Sequence, residues 1–339
     1  MDSVGRFELP TLDLSRFLQD TTRQEFADQF RDSLVQHGFV KIINHGIDES
    51  SVNQLFSKSR DFFKLPVDLK KQIAHTPGPR PQRGWSHVGL ERTAKIFDAF
   101  RGKDGEAGDT SRTGSKEHLD IGSPKDSLHP SKWLSESDIP GFKAFLEDSF
   151  TTCHEVAMLL LNALEVSFSL PAGSFTNRCR EKAGELRLNY YPNLVQTDSS
   201  PINRAWAHTD LEVITCLFQD SIGGLEIEDR AQPGQFHRVS PGRRSELIVN
   251  SSETLERWTN GEIAAGVHRV VTPTPNITDN VTLSDRVVLG RYSIPFFVKA
   301  DNQASVGPLP QFLAGSDVTR FEEMSAIEYY QARNRKAYL

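Results

Sequence analysis

Arg204-Ala205-Trp206-Ala207-His208-Thr209-Asp210-Leu211-Glu212-Val213-Ile214-Thr215-Cys216-Leu217-Phe218 is the stretch from which the fold is read. From Val213 onward it is rich in Val, Ile, Thr and Phe, with no Pro or Gly to break it, which predicts a β-strand beginning near Asp210. On an extended chain residues two apart project to one side. His208 and Asp210 can therefore offer an imidazole nitrogen and a carboxylate oxygen to one point. A third donor is available in another strand-like run, Gly266-Val267-His268-Arg269-Val270-Val271. Two imidazoles and one carboxylate on one face of a metal leave the opposite face open, which suits non-haem Fe(II) enzymes that activate O₂. An isolated His-x-Asp is more often a pair of solvated surface residues, so the reading depends on its company.

That company is Val287-Val288-Leu289-Gly290-Arg291-Tyr292-Ser293-Ile294-Pro295-Phe296-Phe297, in which Arg291 and Ser293 again sit two apart. A guanidinium fork beside a hydroxyl can hold a carboxylate by paired, charge-assisted hydrogen bonds. In this order and with these gaps, His208-x-Asp210, His268 and Arg291-x-Ser293 resemble the 2-oxoglutarate-dependent non-haem iron(II) dioxygenases. The likeness is nearest the branch that includes isopenicillin N synthase and the plant-type hydroxylases and desaturases. It extends to Asn44-His45-Gly46, to Phe62-Phe63-Lys64-Leu65-Pro66, to Lys116-Glu117-His118-Leu119-Asp120-Ile121-Gly122 and to Arg187-Leu188-Asn189-Tyr190-Tyr191-Pro192.

The resemblance implies a fold that is mainly β with α, a double-stranded β-helix (jelly-roll) core framed by helices. It implies Fe(II) held by His208, Asp210 and His268, with Arg291 and Ser293 fixing the far carboxylate of 2-oxoglutarate and Asn189 and Tyr191 reaching the same co-substrate. The chemistry implied is consumption of O₂ and 2-oxoglutarate to give succinate and CO₂, with oxidation of a substrate C–H bond by hydroxylation, desaturation or oxidative ring formation, as in specialised metabolism. His118 and Asp120 copy the His-x-Asp pattern, but no strand is expected around them, and the resemblance places them outside the metal centre. Trp85 stands where relatives usually carry Tyr near the active-site mouth. Leu211, Phe218 and Phe297, with Trp85 unless that ring simply packs in the core, are expected to line a pocket for a small, largely apolar molecule, since such sites are mostly hydrophobic with few polar anchors.

Other readings follow from the same residues. A same-fold Fe(II) oxidase that does not use 2-oxoglutarate would also employ Arg-x-Ser for a carboxylate, a jelly roll without activity would be a binding protein, and a hydrolytic zinc enzyme would need a general base that is not evident.

The 339 residues divide, by this reading, into an N-terminal dioxygenase region (1–122), a scaffold helix region (123–180), the jelly-roll core (181–300) and a C-terminal helical segment (301–339). Phe26, Phe30 and Leu34 recur every four residues and mark a helix over Arg23–His37, stopped by Gly38. The strand Phe39–Ile43 follows. Helices are also expected over Glu49–Phe63 and Phe142–Phe168, the latter a scaffold for the β-structure. Cys153 and His154 lie within it and read as core. Lys103 to Lys116 is rich in Gly, Asp, Ser and Thr and predicts a mobile loop.

A formal charge of −6 and the lack of a basic run give a nucleic-acid role no electrostatic support. Cys153, Cys179 and Cys216 are an odd number without Cys-x-x-Cys spacing, against a disulfide framework or zinc ribbon. With no signal-peptide core and no membrane-length apolar stretch, the expectation is a cytoplasmic protein that acts on a small molecule. A monomer is compatible with the sequence, which does not specify an oligomeric state.

Overall fold

A computed structural model of the chain describes residues 7–76, 78, 81–90, 115–196, 202–273, 286–314 and 318–338; positions 103–114 of the expected loop lie outside them. The helix Arg23–His37 buries Phe26, Phe30 and Leu34. It ends because Gly38 takes φ +75°, a left-handed conformation that costs glycine least, and donates its N–H to the Leu34 carbonyl at 2.9 Å. The helix Glu49–Phe63 starts at Asp48, whose carboxylate accepts the Ser51 N–H at 2.7 Å. The long helix Phe142–Ser167 presents Phe150 edge-on to Phe296, with ring centroids 5.1 Å apart, and so backs the β-structure as expected.

In chain order the strands are β1 (Thr11–Asp13), β2 (Phe39–Ile43), β3 (Gly84–Ser86), β4 (Glu117–Gly122), β5 (Glu185–Tyr191), β6 (Leu194–Gln196) and β7 (Asn203–His208). They continue as β8 (Ile214–Gln219), β9 (Leu225–Glu228), β10 (Phe236–Arg238), β11 (Leu247–Ser251), β12 (His268–Val271), β13 (Arg286–Val288) and β14 (Arg291–Val298). Eight form a sheet in the order β1-β2-β11-β8-β14-β5-β4-β3, four form β10-β9-β12-β7, and β13 pairs with β6. Phe39 and Ile248 of the large sheet pack on Leu225 and Ile227 of the small one, and Tyr191 packs on Ala205 and Val270. These two contacts close the sheets over one another as the jelly roll that the resemblance implies.

Register sets what faces the interior. On β14, Ser293 lies opposite both Gln219 of β8 and Asn189 of β5, while Phe297 lies opposite Thr215 and Glu185. With a side-chain period of two, Arg291, Ser293, Pro295 and Phe297 share the inner face with Tyr191, Asn189, Arg187 and Glu185.

Two local expectations change. The strand read as beginning near Asp210 is interrupted: β7 ends at His208 and β8 starts at Ile214. These strands belong to different sheets, so the chain crosses over at 209–213. The crossing is held by N–H groups of Glu253 and Thr254 on the carbonyls of Asp210 and Glu212, both at 2.9 Å. His118 and Asp120, expected outside any strand, lie on β4, buried between β3 and β5. Among the described residues no helix is long and apolar enough to cross a membrane.

Candidate active site

His268 lies directly opposite His208 in the β12–β7 pairing, which brings the rings to 4.3 Å between centroids although the residues are sixty positions apart. Asp210 completes the group from the crossover, with Oδ1 3.9 Å from Nε2 of each imidazole. One ligand atom from each of the three lies within 4.8 Å of the others, the only such His/Cys/Asp/Glu group among the described residues.

The surroundings set the protonation of each donor. His208 Nδ1 faces the Trp206 carbonyl at 2.7 Å and His268 Nδ1 the Gly266 carbonyl at 3.2 Å. A carbonyl only accepts, so Nδ1 carries the hydrogen and Nε2 keeps its lone pair toward the shared centre. Burial, then the neighbouring His268, lowers the His208 pKa to about 4, which keeps that imidazole neutral at pH 7. Burial works against the Asp210 carboxylate, yet its pKa stays below the ordinary value because of His268 and His208 and the hydrogen bonds from Thr215 Oγ1 (2.6 Å) and Asn250 Nδ2 (3.0 Å). Two imidazole nitrogens and one carboxylate oxygen are a donor set that fits Fe(II).

Gly266 positions His268 through close approach. A Cβ there would stand 2.6 Å from the Phe39 ring and 3.0 Å from the Gly38 carbonyl oxygen. Its N–H is bonded to the Ser251 carbonyl at 2.9 Å, which ties the segment before β12 to β11.

Arg291 is buried on the inner face, its Nη1 3.0 Å from Ser293 Oγ, its Nη2 3.4 Å from Gln219 Oε1 and its guanidinium 5.2 Å over the Tyr191 ring. Asn189 Nδ2 reaches Ser293 Oγ at 3.4 Å. Arg291 Nε, Gln219 Nε2 and Asn189 Oδ1 are buried without a protein partner. A buried guanidinium with unused N–H groups is costly unless an anion completes it, so this cradle suits a carboxylate. Thr215, which holds Asp210, and Gln219, which meets Arg291, are four residues apart on β8, ~13 Å along the strand. Both the triad and Arg291 line a single cavity.

Of the four residues expected to line the substrate pocket, Leu211 and Phe297 line this cavity. Phe218 does not, which corrects the expectation, and Trp85 takes the core-packing alternative. The Trp85 indole is buried, donates to Glu117 Oε2 at 2.6 Å and lies 5.3 Å from Lys70 Nζ. Phe218 falls on the opposite face of β8 from the cavity-lining Thr215 and Leu217, against the His45 ring at 5.7 Å. The lining is also less apolar than expected. Beside Leu211, Leu217, Val270 and Phe297 stand Glu185, Arg187, Glu212, Lys299 and Lys116. Thr215, Asn250 and Gln219 were missed as well, because only cross-strand register brings them to the ligands.

Known proteins resemble this chain over most of its length. Residues 184–300 match the family model of the 2OG-Fe(II) oxygenase superfamily, and residues 9–137 match that of the non-haem dioxygenase in morphine synthesis N-terminal region. The chain is 43% identical over 340 residues to the 2-oxoglutarate-dependent dioxygenase phqC of Penicillium fellutanum, covering 96% of this chain and 94% of that one. It is 38% identical over 335 residues to the proline hydroxylase buaE of Petromyces alliaceus, covering 98% and 100%. A full-length Neurospora crassa protein, solved in complex with alpha-KG, aligns with a TM-score of 0.83 at 28% identity, covering 99% of this chain and 98% of that one.

Proposed function

The chain belongs to the 2OG-Fe(II) oxygenase superfamily, and from that membership we propose that His208, Asp210 and His268 hold its Fe(II) while Arg291 and Ser293 grip the far carboxylate of 2-oxoglutarate. The observation that carries the assignment is the facing of two clusters, a three-donor group and a buried, incompletely paired guanidinium, into one cavity. When bound, Fe(II) couples oxidative decarboxylation of 2-oxoglutarate by O₂ to oxidation of a substrate C–H bond.

The protein's own groups supply binding, orientation and dryness. Thr215 and Asn250 fix the Asp210 carboxylate, and the Trp206 and Gly266 carbonyls fix the imidazole tautomers. Arg291, with Asn189 and Tyr191 beside it, would hold and orient the co-substrate's far carboxylate. Leu211 and Phe297 belong to the apolar part of the wall against which a small molecule places one C–H bond near the triad. The substrate is a small molecule of specialised metabolism, hydroxylated, desaturated or closed into a ring. Three buried free thiols accord with a reducing, cytoplasmic setting.

The test is spectroscopic. Protein loaded with Fe(II) without oxygen gains a visible metal-to-ligand charge-transfer band when 2-oxoglutarate is added, and H208A loses it. Iron-loaded protein that shows no band overturns the assignment.

A further inference from the structure

Charge lines the part of the cavity remote from Arg291, and neither the proposed metal ligands nor the co-substrate cradle uses it. Phe297, opposite Glu185, lies six residues along β14 from Arg291, ~20 Å on an extended strand. Glu185 is saturated: Arg83 Nη1 and Lys299 Nζ each lie 3.1 Å from it, and Arg187 Nη2 lies 3.6 Å away. Arg187 is further committed to Asp120 at 2.5 Å.

Glu212 is different. Its Oε2 accepts the Leu211 N–H at 3.0 Å, while Oε1 lies 3.9 Å from Lys299 Nζ, beyond hydrogen-bond reach and second to the closer Lys299–Glu185 pair. Among the described residues, the ion pair of Glu212 is the one with Lys299. A largely desolvated carboxylate with an unfilled acceptor lobe favours a cationic N–H donor over a neutral or anionic group. Leu211 and Phe297, which line the same cavity, supply hydrocarbon wall.

Resting on the site reading above, we propose that the substrate carries a protonated primary or secondary amine and that Glu212 holds it. The amine anchored there sets an attached aliphatic skeleton against Leu211 and Phe297, beside the group formed by His208, Asp210 and His268. Glu212 is a specificity residue in this scheme and takes no part in oxidation.

Matched pairs test it. L-proline, L-leucine, piperidine and isoamylamine, each with its N-acetyl derivative, are titrated into protein loaded anaerobically with Fe(II) and 2-oxoglutarate. Perturbation of the visible band and the heat of binding are both recorded. At least one amine is expected to bind about 10- to 100-fold more tightly than its acetylated partner, the effect of one charge-assisted hydrogen bond. E212Q is expected to erase that preference while the band with 2-oxoglutarate still forms, and E212D to weaken it. Equal binding within every pair, no binding of any amine, or a preference that survives in E212Q overturns the proposal. Failure of the band itself refutes the underlying site reading; a normal band without amine preference refutes the Glu212 assignment alone.

Discussion

Asn250 donates a hydrogen bond to Asp210, its Nδ2 3.0 Å from Oδ2, while the other carboxylate oxygen faces both imidazoles. Thr215 binds the same Oδ2 at 2.6 Å, so the carboxylate is clamped from behind by two donors. Partners of this kind set ligand orientation, and their loss commonly costs 10- to 100-fold in metal affinity. N250A is therefore expected to weaken Fe(II) binding by about that factor with the fold retained, measured by anaerobic calorimetric titration. Unchanged affinity would remove Asn250 from the site.

The parts of this site that were legible in the sequence are the local ones. His208-x-Asp210 and Arg291-x-Ser293 announce themselves because residues two apart share a direction. His268 is a candidate from its strand-like run, strengthened by the family likeness, but nothing local says that it will lie across from His208. Asn250, Gln219 and Glu212 gave no signal, because each reaches its partner through strand register or crossover geometry between distant segments. Trp85 stays open between core and pocket in the sequence for the same reason: the facing of a three-residue strand is decided by its pairing with β4, where Leu119 lies opposite it. Helix boundaries fared better, since periodic Phe and Leu positions and the Gly38 stop are properties of the segment itself.

Arg291 is held by geometry that lysine does not reproduce. A planar fork spans Ser293 Oγ and Gln219 Oε1 while leaving Nε for a ligand, whereas an ammonium offers one point of charge. R291K is expected to raise the Kd for 2-oxoglutarate by about 10- to 100-fold, read from titration of the visible band, with Fe(II) affinity unchanged. Parity with the unsubstituted protein would argue that the far carboxylate binds elsewhere.

Glu253 ties the ligand crossover to the C-terminal helix Ala326–Tyr338. Its Oε1 accepts Thr209 Oγ1 and Arg333 Nη2, both at 2.7 Å, and its Oε2 accepts the Tyr329 hydroxyl. Thr209 sits between two proposed iron ligands. Breaking a buried pair by removing one partner costs about 3–5 kcal/mol. E253A is expected to lower stability by that order in urea unfolding and to weaken Fe(II) binding together with it. Lowered stability with intact metal affinity would confine Glu253 to docking the helix.

His154, buried on the long helix with its ring centroid 6.4 Å from that of Phe296, has a pKa lowered to about 4 by burial and then by Lys182. Unfolded, it titrates near its ordinary value of 6.5. Between these two pH values the unfolded chain binds a proton that the folded chain refuses. Stability contributed by the neutral imidazole is thus complete above pH 6.5 and is lost as pH falls toward 4, by on the order of 3 kcal/mol. The difference in urea stability between the unsubstituted chain and H154L, followed across that window, isolates this term from His208, which titrates in both. A pH-independent difference would contradict it.

The sequence offers both Trp85 and Phe297 as aromatics that could meet substrate, but of the two Phe297 alone lines the cavity, so their substitutions should separate cleanly. Glu117 Oε2 accepts from both Trp85 Nε1 at 2.6 Å and Lys70 Nζ at 2.8 Å. W85F removes one of the two donors from a buried carboxylate, which predicts a loss of about 1–3 kcal/mol of stability without change in KM or product. Phe297 lines the cavity and carries the Arg187 guanidinium 5.3 Å from its ring. F297A frees the substrate to shift against the triad and lets Arg187 move. Because the outcome after C–H oxidation depends on which carbon is presented, this variant should alter KM and redistribute products, as measured by mass spectrometry of turnover mixtures. Product redistribution by W85F, or an unchanged pattern in F297A, would reverse the assignment of the cavity wall.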